Sequence, residues 1–241
     1  MFTANPYVLE SGDPIELMQK IPDDFVDLVV TNPSASQNRI KKTVSNFYRI
    51  LKPGAVAVWI AGDADHRCET GNTFQQALTF LDEGFLLHDT MIWRRLTKAT
   101  SKLRYHPSFE YMFVFSKQSP ITINLIKDRP ISADEFAVRE NIWYYDNEQT
   151  KTVPVPLVMD HITSWSKDGD TVLDPFMSYG SVGLASMLLN RKFIGFERNK
   201  DYFKLAEKRI INWKTENINN FAYFSDDLYD SWETDGDENN S

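Results

Sequence analysis

One cysteine, Cys68, and four histidines are all that this 241-residue chain offers to a disulfide or a soft metal. A lone thiol closes no intrachain bridge, and a four-ligand zinc site needs several Cys or His at short spacing, so a disulfide scaffold is excluded and no metal is expected. Long apolar runs are missing too, since none approaches the roughly 18 residues of a membrane span. The first ten residues, MFTANPYVLE, lack both the charged and the apolar segment of a signal peptide. These absences predict a soluble, intracellular, cytoplasmic protein with no membrane contact. Positive charge is absent from one end: from Asp226 onward there are seven acids and no Lys or Arg, which accounts for all but one of the net charge of -8. Such a stretch reads as a disordered acidic tail over residues 225–241, attached to a nearly neutral body.

The body is 1–224, and with 42% hydrophobic and 13% aromatic residues overall the chain can bury one substantial α/β core. No internal repeat or second domain-sized segment is visible. Its most informative part runs from Thr171 to Ile210. A short apolar run ends at Asp174-Pro175, a loop of mostly small residues follows, then a helical stretch through Leu189, then a strand from Phe193 to Phe196 that closes on Glu197. That is a strand-helix-strand unit with an acid at the carboxyl end of each of two neighbouring parallel strands, where open α/β sheets hold their ligands. Read as a dinucleotide fingerprint, Ser178, Gly180 and Gly183 lack the first glycine of the pyrophosphate turn. An NAD-type enzyme is therefore the weakest of the readings.

Read instead as D-P-F-x-x-x-G, a helix and then F-I-G-F-E, the same stretch resembles the S-adenosylmethionine (SAM) loop of DNA amino-methyltransferases, which methylate N6 of adenine or N4 of cytosine. The resemblance covers most of the chain, in the permuted order with the catalytic half before the cofactor loop. It implies a Rossmann-like, mostly parallel seven-stranded sheet with an antiparallel edge hairpin and helices on both faces. It assigns Asp174, Phe176 and Gly180 to the cofactor loop, Glu197 to the ribose, and Asp13 of Ser11-Gly12-Asp13 to the adenine of SAM; Asp13 also reads as a helix cap. Phe25 to Thr31 is a buried-strand pattern ending at Asn32-Pro33-Ser34-Ala35, where the family carries its catalytic tetrapeptide. There a side-chain oxygen and a backbone carbonyl accept the amine's two N–H groups and hold the nitrogen in line with the methyl. Asn32 and Pro33 retain these roles.

The tetrapeptide and the cofactor loop both depart from the family pattern. Ala35 replaces the aromatic residue on which a flipped base stacks, an interaction of about 1–3 kcal/mol. Ser178 replaces a glycine expected at positive φ, at a cost of about 1–2 kcal/mol, and Tyr179 either fills the methionine space or turns away to stack elsewhere. Thr152 stands where a histidine often opens the run before the cofactor strand. The sequence thus predicts a DNA amino-methyltransferase homologue with altered motifs, impaired or inactive as an isolated chain, a pseudoenzyme acting through DNA or partner binding and needing no cofactor. The alternative is an active enzyme using SAM.

The remaining segments suit this scaffold. Ile50 to Ile60 reads as a helix end, a Pro-Gly turn and a strand; Thr73 to Glu83 as a helix covering one sheet face with Phe74, Ala77, Leu78, Phe80 and Leu81; Leu86–Trp93 and Phe109–Phe115 as the last two strands, with aromatic rings in the core. Between those strands lies a basic run, Arg94, Arg95, Lys98, Lys102, Arg104 and His106, and a second set, Arg39, Lys41 and Lys42, follows the catalytic loop. Both read as phosphate contacts to DNA or as solvated charge, and the acidic tail is a candidate competitor for them. Residues 117–151 form a variable insertion, short for a recognition domain, in which Ile142 to Tyr145 either pack on the sheet, the preferred reading, or offer a stacking surface. A partner subunit or homodimer stays open.

Overall fold

The computed structural model describes residues 5–33, 37–62, 69–95, 105, 107–132, 135–145 and 152–213. Ser34, Ala35, Cys68, Lys98, Lys102, Arg104, His106 and the acidic tail lie outside the described residues.

The chain forms β1 (Tyr7–Ser11), α1 (Pro14–Met18), β2 (Val26–Thr31), α2 (Gln37–Ile50), β3 (Leu51–Ala61), α3 (Asn72–Asp82), β4 (Leu86–Arg94) and β5 (Phe109–Ser116). There follow β6 (Lys127–Pro130), β7 (Phe136–Val138), β8 (Ile142–Tyr144), α4 (Val155–Trp165), β9 (Thr171–Asp174), α5 (Ser181–Leu188), β10 (Lys192–Glu197) and α6 (Lys200–Ile211). The main sheet has the order β1-β10-β9-β2-β3-β5-β4-β8. Every adjacent pair is parallel except those made by β5, which runs against β3 and β4. The sheet therefore holds eight strands rather than the seven expected. The eighth, β8, comes from the stretch read as an insertion, and it covers the outer edge of β4 in register Trp93↔Trp143.

Helices cover both faces because β2, β3 and β9 are apolar without alternation, the pattern of strands buried on two sides. Even-numbered Leu28, Val30, Val56 and Val58 pack with α4, α5 and α6, while Val29, Ala57 and Trp59 pack with α1, α2 and α3. Phe80 of α3 stacks flat on Phe115, ring centroids 4.1 Å apart. A Phe buried this completely contributes about 1.5–3 kcal/mol. The other apolar residues expected to seat α3 do not all do so: Phe74, Leu78 and Leu81 remain exposed. The expected Pro-Gly turn is an irregularity at the start of β3, where pairing jumps from Val26↔Leu51 to Leu28↔Val56 and Gly54 takes φ 78°. In the 117–151 region β6 and β7 form a separate antiparallel ribbon. Arg139 ties that region to α4 by bridging Asp128 and Asp160, and the Tyr145 hydroxyl also donates to Asp160. Trp143 is buried as preferred, yet Ile142 and Tyr144 point outward.

Candidate cofactor and catalytic site

Parallel strands share a polarity, so the carboxyl ends of β2, β9 and β10 lie on one rim. A cavity of about 660 Å³ opens there, lined among others by Asn32, Asp174, Phe176, Tyr179, Glu197 and Tyr202. Its size falls within the range of small-molecule sites, about 300–1,000 Å³. Asn32, from one half of the chain, thus shares a crevice with Asp174 and Glu197 from the other.

Asp174 ends β9 and is 3% exposed. Its Oδ1 accepts two hydrogen bonds, from Thr31 Oγ1 at 2.7 Å and from the Phe176 N–H at 3.0 Å. The first links β9 directly to the strand that carries Asn32. Burial pushes the Asp174 carboxyl up to about 7 despite those two donors, and the neighbouring Glu197 charge adds to the rise. Glu197 ends β10 with both carboxylate oxygens anchored: Oε1 accepts from the Asn199 N–H at 2.7 Å and Oε2 from the Ser178 N–H at 2.8 Å. Each oxygen keeps lone-pair capacity for a further donor.

The loop between them is built on two left-handed residues. Ser178 sits at φ 47°, the conformation for which a glycine is ordinarily used, and it donates its N–H to Glu197. Gly180, at φ 79°, precedes α5; a Cβ there would lie 3.0 Å from the Ala206 Cβ of α6, so the glycine allows the helices to close together. Tyr179 lines the cavity together with Tyr202, their rings 4.7 Å apart between centroids, and the Tyr179 carbonyl accepts from Arg209 Nη1 at 2.6 Å. Thr152 and Val153, from the run before α4, also line the cavity.

Two residues selected for cofactor binding stand behind this lining. Gly180 has the packing role just described. Asp13 caps α1, accepting from the Ile15 N–H at 2.9 Å, and pairs with Arg39 of α2. The Arg39 guanidinium holds the Asp13 carboxyl below the usual carboxylate range. Arg39, expected as a phosphate contact, lines the cavity and has its guanidinium paired with Asp13.

Asn32 is exposed at the rim, with Pro33 half-buried beside it. Its Nδ2 donates to the Ile60 carbonyl and to Glu110 Oε2, both at 3.0 Å. Glu110 in turn pairs through Oε1 with Arg95. This is a second departure from the sequence reading, since Arg95 is largely turned inward, with its guanidinium 5.1 Å over the Trp93 ring. Burial lowers the pKa of its guanidinium below the ordinary arginine value. Arg94, by contrast, is exposed over Tyr144 at 5.3 Å, and Lys41 and Lys42 are exposed on α2. Glu110 escaped the sequence reading because FEYMFVF looks like a core strand, and only the reversed direction of β5 brings its first residues to the ligand rim.

One crevice thus brings together the acids that end β9 and β10 and the Asn32 carboxamide just past the end of β2. The sequence profile of the N6/N4 DNA methylase family matches residues 2–208, and the chain belongs to that family. It is 37% identical over 246 residues to the orphan methyltransferase M.BamHII of Bacillus amyloliquefaciens, covering 82% of this chain and 93% of that one. In fold it is similar to the PvuII cytosine-N4-specific DNA methyltransferase, with a TM-score of 0.75 at 19% identity over 90% and 89% of the two chains. It is also similar to M1.HpyAVI, solved as a complex with SAM, with a TM-score of 0.66 at 22% identity over 85% and 99%. The fold is thus the Rossmann-like methyltransferase architecture expected.

Among the described residues no group of His, Cys, Asp and Glu is arranged to hold a metal ion, and no helix is long and apolar enough to cross a membrane.

Proposed function

We propose that the chain is a SAM-dependent methyltransferase acting on an exocyclic amine of a DNA base, as a soluble intracellular protein. The observation that carries this reading is the convergence on one cavity of Asn32 with Asp174, Phe176 and Glu197, which lie far from it in sequence. The donor set suits SAM. Glu197, with both oxygens fixed by backbone N–H groups, is presented to ribose hydroxyls; Phe176 offers an apolar wall; Asp174 places a buried carboxyl beside the loop. When bound, SAM supplies an electrophilic methyl group on a sulfonium. Asn32 and the Pro33 carbonyl take the amine's N–H groups and aim its lone pair. Lys41, Lys42 and Arg94 are exposed cations available to phosphates.

A second reading, a homologue that has lost transfer, is favoured by two observations: Ser178 is held in the left-handed region against Glu197, and the catalytic tetrapeptide supplies no ring at Ala35. Both readings keep the cavity. Calorimetric titration of SAM, followed by transfer of labelled methyl to unmethylated DNA, separates them. The active reading expects SAM binding in both wild type and Asn32→Ala, with transfer in wild type alone. Absence of SAM heat at millimolar cofactor would remove it, leaving DNA or partner binding, including a second copy, to be sought by light scattering.

A further inference from the structure

We propose that Glu110 is a positioning residue that locks the Asn32 side chain in one of its two possible amide orientations. An asparagine amide can turn over, exchanging its oxygen and nitrogen, and only one of the two faces presents an acceptor to an incoming amine. Here both partners of the inner edge are acceptors alone: the Ile60 carbonyl and the Glu110 carboxylate, each 3.0 Å from Nδ2. The amide must therefore turn its NH2 inward, which leaves Oδ1 as the outward atom. Arg95, which has donors only, holds the other Glu110 oxygen, so the carboxylate serves one donor on each side. The Glu110 side chain is 13% exposed, and Gly62 leaves it room, since a Cβ at position 62 would meet the Glu110 Cγ at 2.9 Å.

The inference rests on the methyltransferase reading for its consequence and on hydrogen-bond polarity for its geometry. Glu110→Gln is nearly isosteric but has one acceptor and one donor end. With its oxygen on Arg95, its NH2 faces Asn32 and competes with Ile60 for the direction of the amide. Loss of a hydrogen bond to a charged group corresponds to at least about a tenfold effect. Methyl transfer from labelled SAM to unmethylated DNA is expected to fall about tenfold or more in kcat in both Glu110→Gln and Glu110→Ala, with SAM affinity kept within twofold. Transfer within twofold of wild type in both variants overturns the proposal. If wild type itself transfers nothing, the methyltransferase reading has failed, and NMR of the Asn32 side-chain amide, identified by its loss in Asn32→Ala, decides the geometry. Faster amide-proton exchange in Glu110→Gln supports the lock; unchanged shifts and exchange overturn it.

Discussion

Replacing Asp174 by Asn isolates the cost of keeping a carboxylate beneath the cofactor loop. Both hydrogen bonds to this side chain land on Oδ1, so an Asn oxygen can receive the Thr31 hydroxyl and the Phe176 N–H unchanged, and the substitution removes charge with little change in shape. The folded carboxyl titrates at about 7, against an ordinary value of 3.8. Between those two pH values the unfolded chain has lost its proton while the folded one keeps it. The folded state therefore binds more protons, and stability falls as pH rises, up to about 1.4 kcal/mol for each pH unit. The penalty is absent below pH 3.8 and complete above about 7. Integrated from pH 5 to pH 8, the wild type should lose about 3 kcal/mol relative to Asp174→Asn, with the variant the more stable at pH 8. Urea unfolding of both proteins at the two pH values measures this directly, and at a slope of about 1–3 kcal/mol per molar the gap between midpoints should widen by about 1 M or more. A gap that stays constant within about 0.5 kcal/mol would refute the argument, because it would mean that Asp174 ionises in the fold as it does in water.

The loop supplies two further predictions. Ser178→Gly removes the left-handed strain at φ 47° and should stabilise the protein by about 1 kcal/mol in chemical unfolding; if crowding from Ser178 weakens cofactor binding, SAM affinity rises with it. Gly180→Ala places a methyl group against the Ala206 Cβ and backbone at a positive φ, and should destabilise by about 2 kcal/mol or more, read as a lowered melting temperature.

The β9-α5-β10 unit was legible because its signals are local. A short apolar strand, an acid at its end and a small-residue loop lie contiguously around Asp174, and the same holds for Phe193 to Glu197. Asp13 was likewise readable as a cap, since a cap bonds its own helix. What could not be read was the partner of each charge. Arg39 and Asp13 were placed in different roles, as were Arg95 and the strand containing Glu110, because their pairing depends on which strand ends the sheet brings together. Periodicity placed α3 correctly but overstated its burial, since helical spacing shows which residues share a face and not how far the neighbouring sheet extends under it. The eighth strand was hidden for a related reason: Ile142–Tyr144 is only three residues long, and it becomes a strand by lying along β4.

The strand order also constrains how the molecule can be made. The two strands that end in Asp174 and Glu197 are synthesised last, yet they slot between β1 and β2, which are made first. A chain growing from its N-terminus carries that gap, with unpaired backbone on both sides, until residue 197 has emerged. Interior pairing of such distant segments is slow and leaves adhesive strand edges exposed. Translation of this protein should therefore yield a truncated product that aggregates when it stops before Lys192 and becomes soluble only once β10 is complete.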